Sequence, residues 1–338
     1  MSQVHDGDGV VLRVDRGAAL VEVRRGDAVE HVRMTWGGAV LAAAATDPEA
    51  VPCTGDAVTW RRWPDGRATL ERVRPRRTVL VRAEASGTSA RQPLAANVDV
   101  VAVVEGLVPD PDERRIARLL SLAWASGARP VVLLTKADLA PDAAELAEQL
   151  AAGTNCPVLP VSVVTGAGLD AVRELVAGGR VMALVGASGV GKSSLVNALS
   201  GDDLMRVRGL RADGKGRHTT VTRELHRVAG GGAVVDSPGL RSVGLADAAG
   251  VDLAFADVAG LAEGCRFGDC RHDGEPGCAV EAAVASGDLP PARLEDWRKL
   301  VAEGRRQELR HDARLWAEQN RRVRSQSKAL RRHFQFRP

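Results

Sequence analysis

Short runs in which apolar and polar positions alternate dominate the first quarter of the chain. They read VVLRV (10–14), ALVEV (19–23), HVRM (31–34), DAVTW (56–60) and ATLERV (68–73), with turn residues between them. A period of two buries one face of a strand. Five such strands in under eighty residues predict a small β-barrel over residues 1–75, of the OB type or, on the same pattern, an SH3-like one. Residues 76–96 mix Arg, Pro, Gly and Ser with little periodicity and are expected to form a linker.

From residue 97 the pattern changes. VDVVAVV (98–104), PVVLL (130–134), PVLPVS (157–162) and RVMALV (180–185) are apolar runs of strand length, with further strands near 221–228 and 233–236. Helical periodicity fills the spaces at 113–126, 142–152, 169–177 and 192–200. Strands alternating with helices imply an α/β domain over 97–248, its parallel sheet covered on both faces. Residues 249–338 turn helical and basic; from 305 onward there are eleven Lys/Arg against three Asp/Glu. The expected fold class is therefore multidomain: an OB-like barrel, a central α/β domain and a C-terminal helical domain.

Composition narrows the function classes only slightly. No apolar run approaches the ~18 residues of a membrane span, and the start MSQVHDGDGV has no signal-peptide character, so a cytoplasmic protein without a membrane segment is expected. A formal net charge of +3 does not diagnose a nucleic-acid partner. Only five of the 46 basic residues are Lys, and two of these, Lys136 and Lys192, fall in the motifs below. Five cysteines, an odd number, argue against a disulfide framework.

The strongest local signal is Gly186-Ala187-Ser188-Gly189-Val190-Gly191-Lys192-Ser193, which follows an apolar strand and opens a helix. In that setting G-x-x-x-x-G-K-[ST] is a phosphate loop: backbone N–H groups turn inward around a phosphate, Lys192 reaches the β/γ oxygens and Ser193 offers a hydroxyl to Mg²⁺. Ser194 continues the loop into the helix. Asp236-Ser-Pro-Gly239 follows the strand AVVD, where Asp236 can hold the Mg²⁺ water shell and Gly239 leaves its N–H free for the γ-phosphate. Thr135-Lys136-Ala137-Asp138 follows PVVLL; the Asp138 carboxylate can accept both N1–H and N2–H₂ of guanine, and the Lys136 stem can lie over the base. Ser162-Val163 is placed to offer a backbone N–H to guanine O6. In GKGRHTTVT (214–222) a hydroxyl of Thr219 or Thr220 can complete the Mg²⁺ shell. Leu240 stands where many GTPases carry a water-positioning Gln, which leaves His218 as the local candidate to orient water. Lastly, Cys265, Cys270, His272 and Cys278 lie within fourteen residues and match a closed Cys₃His zinc site.

Taken in order, T-K-A-D, S-V, GASGVGKS, GRHTT, DSPG and CRFGDCRHDGEPGC resemble the circularly permuted GTPase family of small-ribosomal-subunit biogenesis, usually called RsgA or YjeQ. The similarity covers nearly the whole chain. It implies an OB-fold domain, a GTPase centre using GTP/GDP with Mg²⁺, a zinc-binding domain with one structural Zn²⁺, and the small ribosomal subunit and its rRNA as partners. It also implies that hydrolysis is stimulated by the subunit and that His218 is catalytic, with Lys192 at the phosphates. A monomer with no membrane partner is expected. Two positions depart from the family: Thr135 stands for the usual Asn and Val163 for the usual Ala. An ATP-driven assembly factor and a non-catalytic, nucleotide-gated rRNA-binding module are the alternatives; Asp138 opposes the first and Leu240 keeps the second open.

Overall fold

The computed structural model describes residues 5–83, 91–201, 223–236 and 244–334. His218, Thr219, Thr220, Gly239 and Leu240 lie outside the described residues.

Five strands form the N-terminal barrel: β1 (His5–Asp15), β2 (Ala18–Arg25), β3 (Ala28–Trp36), β4 (Ala57–Arg62) and β5 (Ala68–Val73). They pair in the order β1-β2-β3-β5-β4 and close through β4–β1. Only β3–β5 is parallel. The inward positions of the alternating runs meet as one core of Val11, Val21, Val23, Met34, Val58, Trp60 and Leu70. Helix α1 (Gly38–Thr46) fills the β3–β4 connection. Its sequence GAVLAAAAT has strong helix propensity but no apolar stripe, so periodicity gives no sign of it.

The segment 76–96 differs from the expected linker. It carries an antiparallel ribbon of β6 (Val79–Ala83) and β7 (Arg91–Ala96). Leu80, Leu94 and Ala95 are buried in the same continuous core as the central domain, so the segment is packed onto that domain. Pro93 hides the second strand in the sequence, yet it is tolerated because it sits next to a bulge at Leu94 in a two-stranded ribbon.

Six further strands build the central sheet: β8 (Val100–Gly106), β9 (Arg129–Thr135), β10 (Val158–Val161), β11 (Val181–Val185), β12 (Glu224–Arg227) and β13 (Ala233–Asp236). Their order is β10-β9-β8-β11-β13-β12, parallel except for β12. Helices α2 (Glu113–Ala125) and α3 (Ala143–Gly153) bury Leu119, Leu120 and Ala147 against one face. Helices α4 (Leu169–Val176) and α5 (Lys192–Ser200) bury Val172, Leu195 and Val196 against the other. The expected α/β layer is thus present, with β12 its antiparallel edge.

Helices α6 (Val251–Ala254), α7 (Ala256–Ala262), α8 (Ala279–Ser286) and α9 (Pro291–Phe334) complete the chain. Phe255, Val258, Val280, Leu294 and Leu300 share one continuous core with α2, so the C-terminal helices are packed onto the central domain. Gly250 permits that approach: a Cβ there would lie 2.0 Å from the Ser121 carbonyl. No helix among the described residues is long and apolar enough to cross a membrane.

Candidate nucleotide site and candidate metal centre

Because β8, β9, β10, β11 and β13 are parallel, their C-terminal ends lie along one edge of the sheet, where α/β folds place ligands. Thr135 pairs with Val161 and with Gly106, and Asp236 pairs with Leu184. Segments distant in sequence are thereby brought side by side.

The phosphate loop runs from the end of β11 into α5. Gly186 has no room for a side chain, since a Cβ would lie 2.2 Å from the Val104 carbonyl. Gly191 caps α5 in the left-handed region at φ 100°. Ala187, Ser188, Gly189 and Val190 form the turn between them, and Ser193 and Ser194 stand in the first turn of α5. Lys192 is buried, and its Nζ donates to the carbonyls of Gly186 (3.0 Å) and Ala187 (2.7 Å). Burial pulls its pKa below the ordinary lysine value, against the opposing charges of Asp236 and Glu105.

Asp236 closes β13 and is 2 % exposed. Burial pushes its carboxyl upward, with Lys192 acting in the opposite sense. Its Oδ1 is buried with no hydrogen-bond partner among the described residues. An orphaned carboxylate oxygen facing a phosphate loop fits the acidic ligand of a Mg²⁺ shell.

At the end of β9 the Thr135 hydroxyl lies 2.5 Å from the Val190 carbonyl and 3.1 Å from the Glu105 carbonyl. Its single proton serves one of them at a time. Thr135 therefore ties the end of β9 to the phosphate loop. Lys136 adopts the left-handed region at φ 60°, and its Nζ donates to Val108 O at 3.1 Å. Ala137 and Asp138 lie in the 3₁₀ turn that follows, with Asp138 exposed. The buried Ser162 hydroxyl donates to Asp138 Oδ1 at 2.5 Å and accepts from the Thr165 N–H at 3.1 Å. The Ser162 N–H is taken by Ala167 O at 2.9 Å, so within the Ser162-Val163 pair the contribution of Ser162 is its hydroxyl.

Glu105 is a further buried charge at this sheet edge. Its carboxylate is 3 % exposed, and Arg115 of α2 grips it with Nε at 2.8 Å and Nη2 at 2.5 Å. In the sequence Glu105 stands out as a lone charge ending the apolar run VVAVVEG.

Among the described residues the metal centre is equally well assembled. The ligand atoms of Cys265, Cys270, His272 and Cys278 all lie within 4.8 Å of one another. Individual separations are 3.4 Å from Cys278 Sγ to His272 Nδ1, 3.6 Å from Cys265 Sγ to the same nitrogen, and 4.0 Å between those two sulfurs. A tetrahedron with Zn–S near ~2.3 Å and Zn–N near ~2.0 Å has edges of about 3.5–3.8 Å, so the set fits zinc. Local structure explains the placement. His272 sits at φ 58°, and the Glu275 carboxylate accepts the N–H groups of Arg271 (2.9 Å) and Asp273 (2.7 Å) on either side of it. Those two amides bring the Glu275 pKa down to about 2. Cys278 caps α8, its Sγ accepting from the Glu281 N–H at 3.4 Å. Trp297 of α9 covers His272 with ring centroids 5.1 Å apart, so α9 walls the centre.

Comparison with known proteins agrees with this geometry. Residues 73–246 match the family model described as RsgA GTPase. The small ribosomal subunit biogenesis GTPase RsgA of Streptomyces coelicolor is 49% identical over 317 residues, 92% of this chain and 84% of that protein. RsgA 1 of Listeria monocytogenes is 39% identical over 86% of this chain and 83% of its own length. Among solved structures, YjeQ from Thermotoga maritima superposes with a TM-score of 0.64 at 26% identity, covering 88% of this chain and 98% of that one. YloQ, a circularly permuted GTPase, gives 0.62 at 22% identity over 89% and 96%, a likeness that bears on fold alone. With a five-stranded barrel, a permuted α/β centre and a Cys₃His group in the C-terminal region, the chain belongs to the RsgA GTPase family.

Proposed function

We propose that the chain hydrolyses GTP to GDP and phosphate while bound to the small ribosomal subunit, as a late assembly or checkpoint factor. The single observation that best supports this reading is the convergence of the phosphate loop, the Ser162–Asp138 pair and the orphaned Asp236 oxygen on one sheet edge. The names of the relatives, small ribosomal subunit biogenesis GTPase, supply the partner.

In this reading the N–H groups of residues 186–194 and the Lys192 ammonium hold the phosphates. Asp138, aimed by the Ser162 hydroxyl, accepts guanine N1–H and N2–H₂, while the Lys136 stem lies along the base. Adenine presents a lone pair at N1, so it is rejected. Ser193, Asp236 and Thr219 or Thr220 would hold Mg²⁺, which when bound neutralises charge developing on the phosphates. Cys265, Cys270, His272 and Cys278 would hold one structural Zn²⁺. Leu240 offers nothing to orient water, so His218 is assigned that task, fulfilled when the subunit is engaged. The barrel and the basic α9 contact rRNA phosphates; the protein acts as a cytoplasmic monomer.

Turnover of GTP measured alone, with purified small subunits and with large subunits tests the proposal. The expected result is slow hydrolysis alone, near ~10⁻³ s⁻¹ or below, and strong acceleration by small subunits only. Equal rates in all three conditions would leave a nucleotide-gated binding module as the better reading.

A further inference from the structure

The barrel does not merely sit beside the central domain; its first strand continues that domain's sheet. β1 pairs antiparallel with β12, in register at Arg13 and Glu224, so eleven strands run unbroken from β10 to the barrel. Glu224 is also the register partner of Asp236, which in turn pairs with Leu184 beside the phosphate loop. Arg13, Glu224 and Asp236 thus occupy one row across three strands, placing the barrel about 10 Å from the strand that carries Asp236.

Side chains pin both ends of β12 to the barrel. Arg13 Nη1 donates to Glu224 Oε2 at 3.2 Å. At the other end Arg227 grips Glu22 through Nη2 (2.5 Å) and Nε (3.1 Å), and Glu22 is 5 % exposed. The Arg227 guanidinium holds the Glu22 carboxyl below its ordinary range. Just ahead of β12, the Thr54 hydroxyl of the barrel donates to the Arg223 carbonyl at 3.3 Å. β12 has only four residues and begins four positions after Thr220. Without β1 it would be a short edge strand paired on one side only, with β13, a weak kind of sheet element.

We infer that Arg13 and Glu22 of the barrel are positioning residues for the Mg²⁺–nucleotide centre. They hold β12 against β13, and Arg13, whose Nε also donates to Asp15 Oδ1 at 3.2 Å, offsets the charge of Glu224, whose side chain shares a sheet face with that of its cross-strand partner Asp236. An unneutralised Glu224 repels the Asp236 carboxylate and competes with it for the cation. The barrel, known from its fold as a separate module, is then also part of the frame of the hydrolytic site. This inference rests on the reading that Asp236 holds the Mg²⁺ shell.

The test uses the full-length protein with a fluorescent GDP analogue and a Mg²⁺ titration. Arg13→Glu should raise the Mg²⁺ concentration for half-maximal nucleotide retention about fivefold, the size expected of a partly exposed ion pair. Arg13→Lys should stay within about twofold of the parent on the same scale. Adding Glu224→Gln to Arg13→Glu should remove the defect, a rescue that general loosening of the barrel does not give. A second readout needs neither nucleotide nor metal: Glu22→Gln should speed amide hydrogen exchange at Leu225–Arg227. Arg61→Gln, which breaks an exposed pair with Asp6 away from β12, is the control for both. Parent-like Mg²⁺ dependence in Arg13→Glu together with unchanged exchange in Glu22→Gln would overturn the inference, and a defect that Glu224→Gln fails to rescue would remove the electrostatic part of it. The underlying reading fails separately, if Asp236→Asn leaves the Mg²⁺ dependence as it is in the parent.

Discussion

The four residues of the candidate metal centre come from fourteen consecutive positions, whereas those of the candidate nucleotide site come from Thr135 through Asp236. The first set is organised by short-range devices: a left-handed His272, the Glu275 carboxylate between two amides, and Cys278 as a helix cap. The second is organised by sheet register, which sets Thr135 beside Val161 and Gly106, and Asp236 beside Leu184. A locally built site draws its stability from the ion that closes it. A register-built site draws it from the core beneath, here Val101, Val103, Ala183 and Val235 on one face and Val104, Leu133, Leu184 and Val234 on the other. This is also why permutation is harmless. Register depends on which strands are neighbours and not on the order in which the chain visits them, so the base-reading turn can precede the phosphate loop in sequence.

The contrast predicts different responses to damage. Chelation, or Cys270→Ala, should abolish stoichiometric zinc and melt the 263–290 region, since zinc contributes on the order of 10 kcal/mol in isolated finger peptides. Nucleotide affinity should fall far less, because the central sheet does not depend on the metal. Metal analysis, limited proteolysis and nucleotide titration of the same sample check this; well under one zinc per chain in the parent would remove the metal centre. Lys192→Ala should lower GTP hydrolysis by at least about 100-fold while the melting temperature stays close to the parent, because the side chain acts on phosphate and the loop backbone persists. Single-turnover kinetics beside thermal denaturation separate the two effects. A smaller effect is expected at Thr135. Thr135→Val keeps the shape but removes the hydroxyl between Val190 O and Glu105 O, weakening GTP and GDP binding alike by about 1 kcal/mol, roughly fivefold. Thr135→Ser should restore most of it. An unaffected Thr135→Val would mean that the tether contributes nothing.

Much of both sites was legible because their chemistry is tied to spacing. The phosphate loop needs glycines at fixed positions for its backbone turns, and the Cys₃His set needs soft ligands a few residues apart. The strands were legible because alternation and apolar runs follow directly from burying one or two faces. Helix α1 and the β6–β7 ribbon were not. Nearly all of α1 is alanine or glycine-flanked apolar sequence without a stripe, and Pro93 breaks the look of β7 although a bulge makes room for it. The Ser162 hydroxyl, the Glu105–Arg115 pair and the Arg13–Glu224–Asp236 row were invisible for another reason: each joins residues that only the folded sheet brings together.

That register assembles a guanine-reading site in this permuted chain is tested most directly at Asp138. Equilibrium titration of the parent and of Asp138→Asn with GTP and with xanthosine triphosphate is the measurement. The carboxylate matches N1–H and N2–H₂ of guanine, whereas an amide can donate to the 2-oxo group of xanthine. The parent should favour GTP, and the variant should favour the xanthosine nucleotide, with the phosphate loop unaltered. A variant that still prefers GTP as strongly as the parent would contradict the assignment of Asp138 as the base reader.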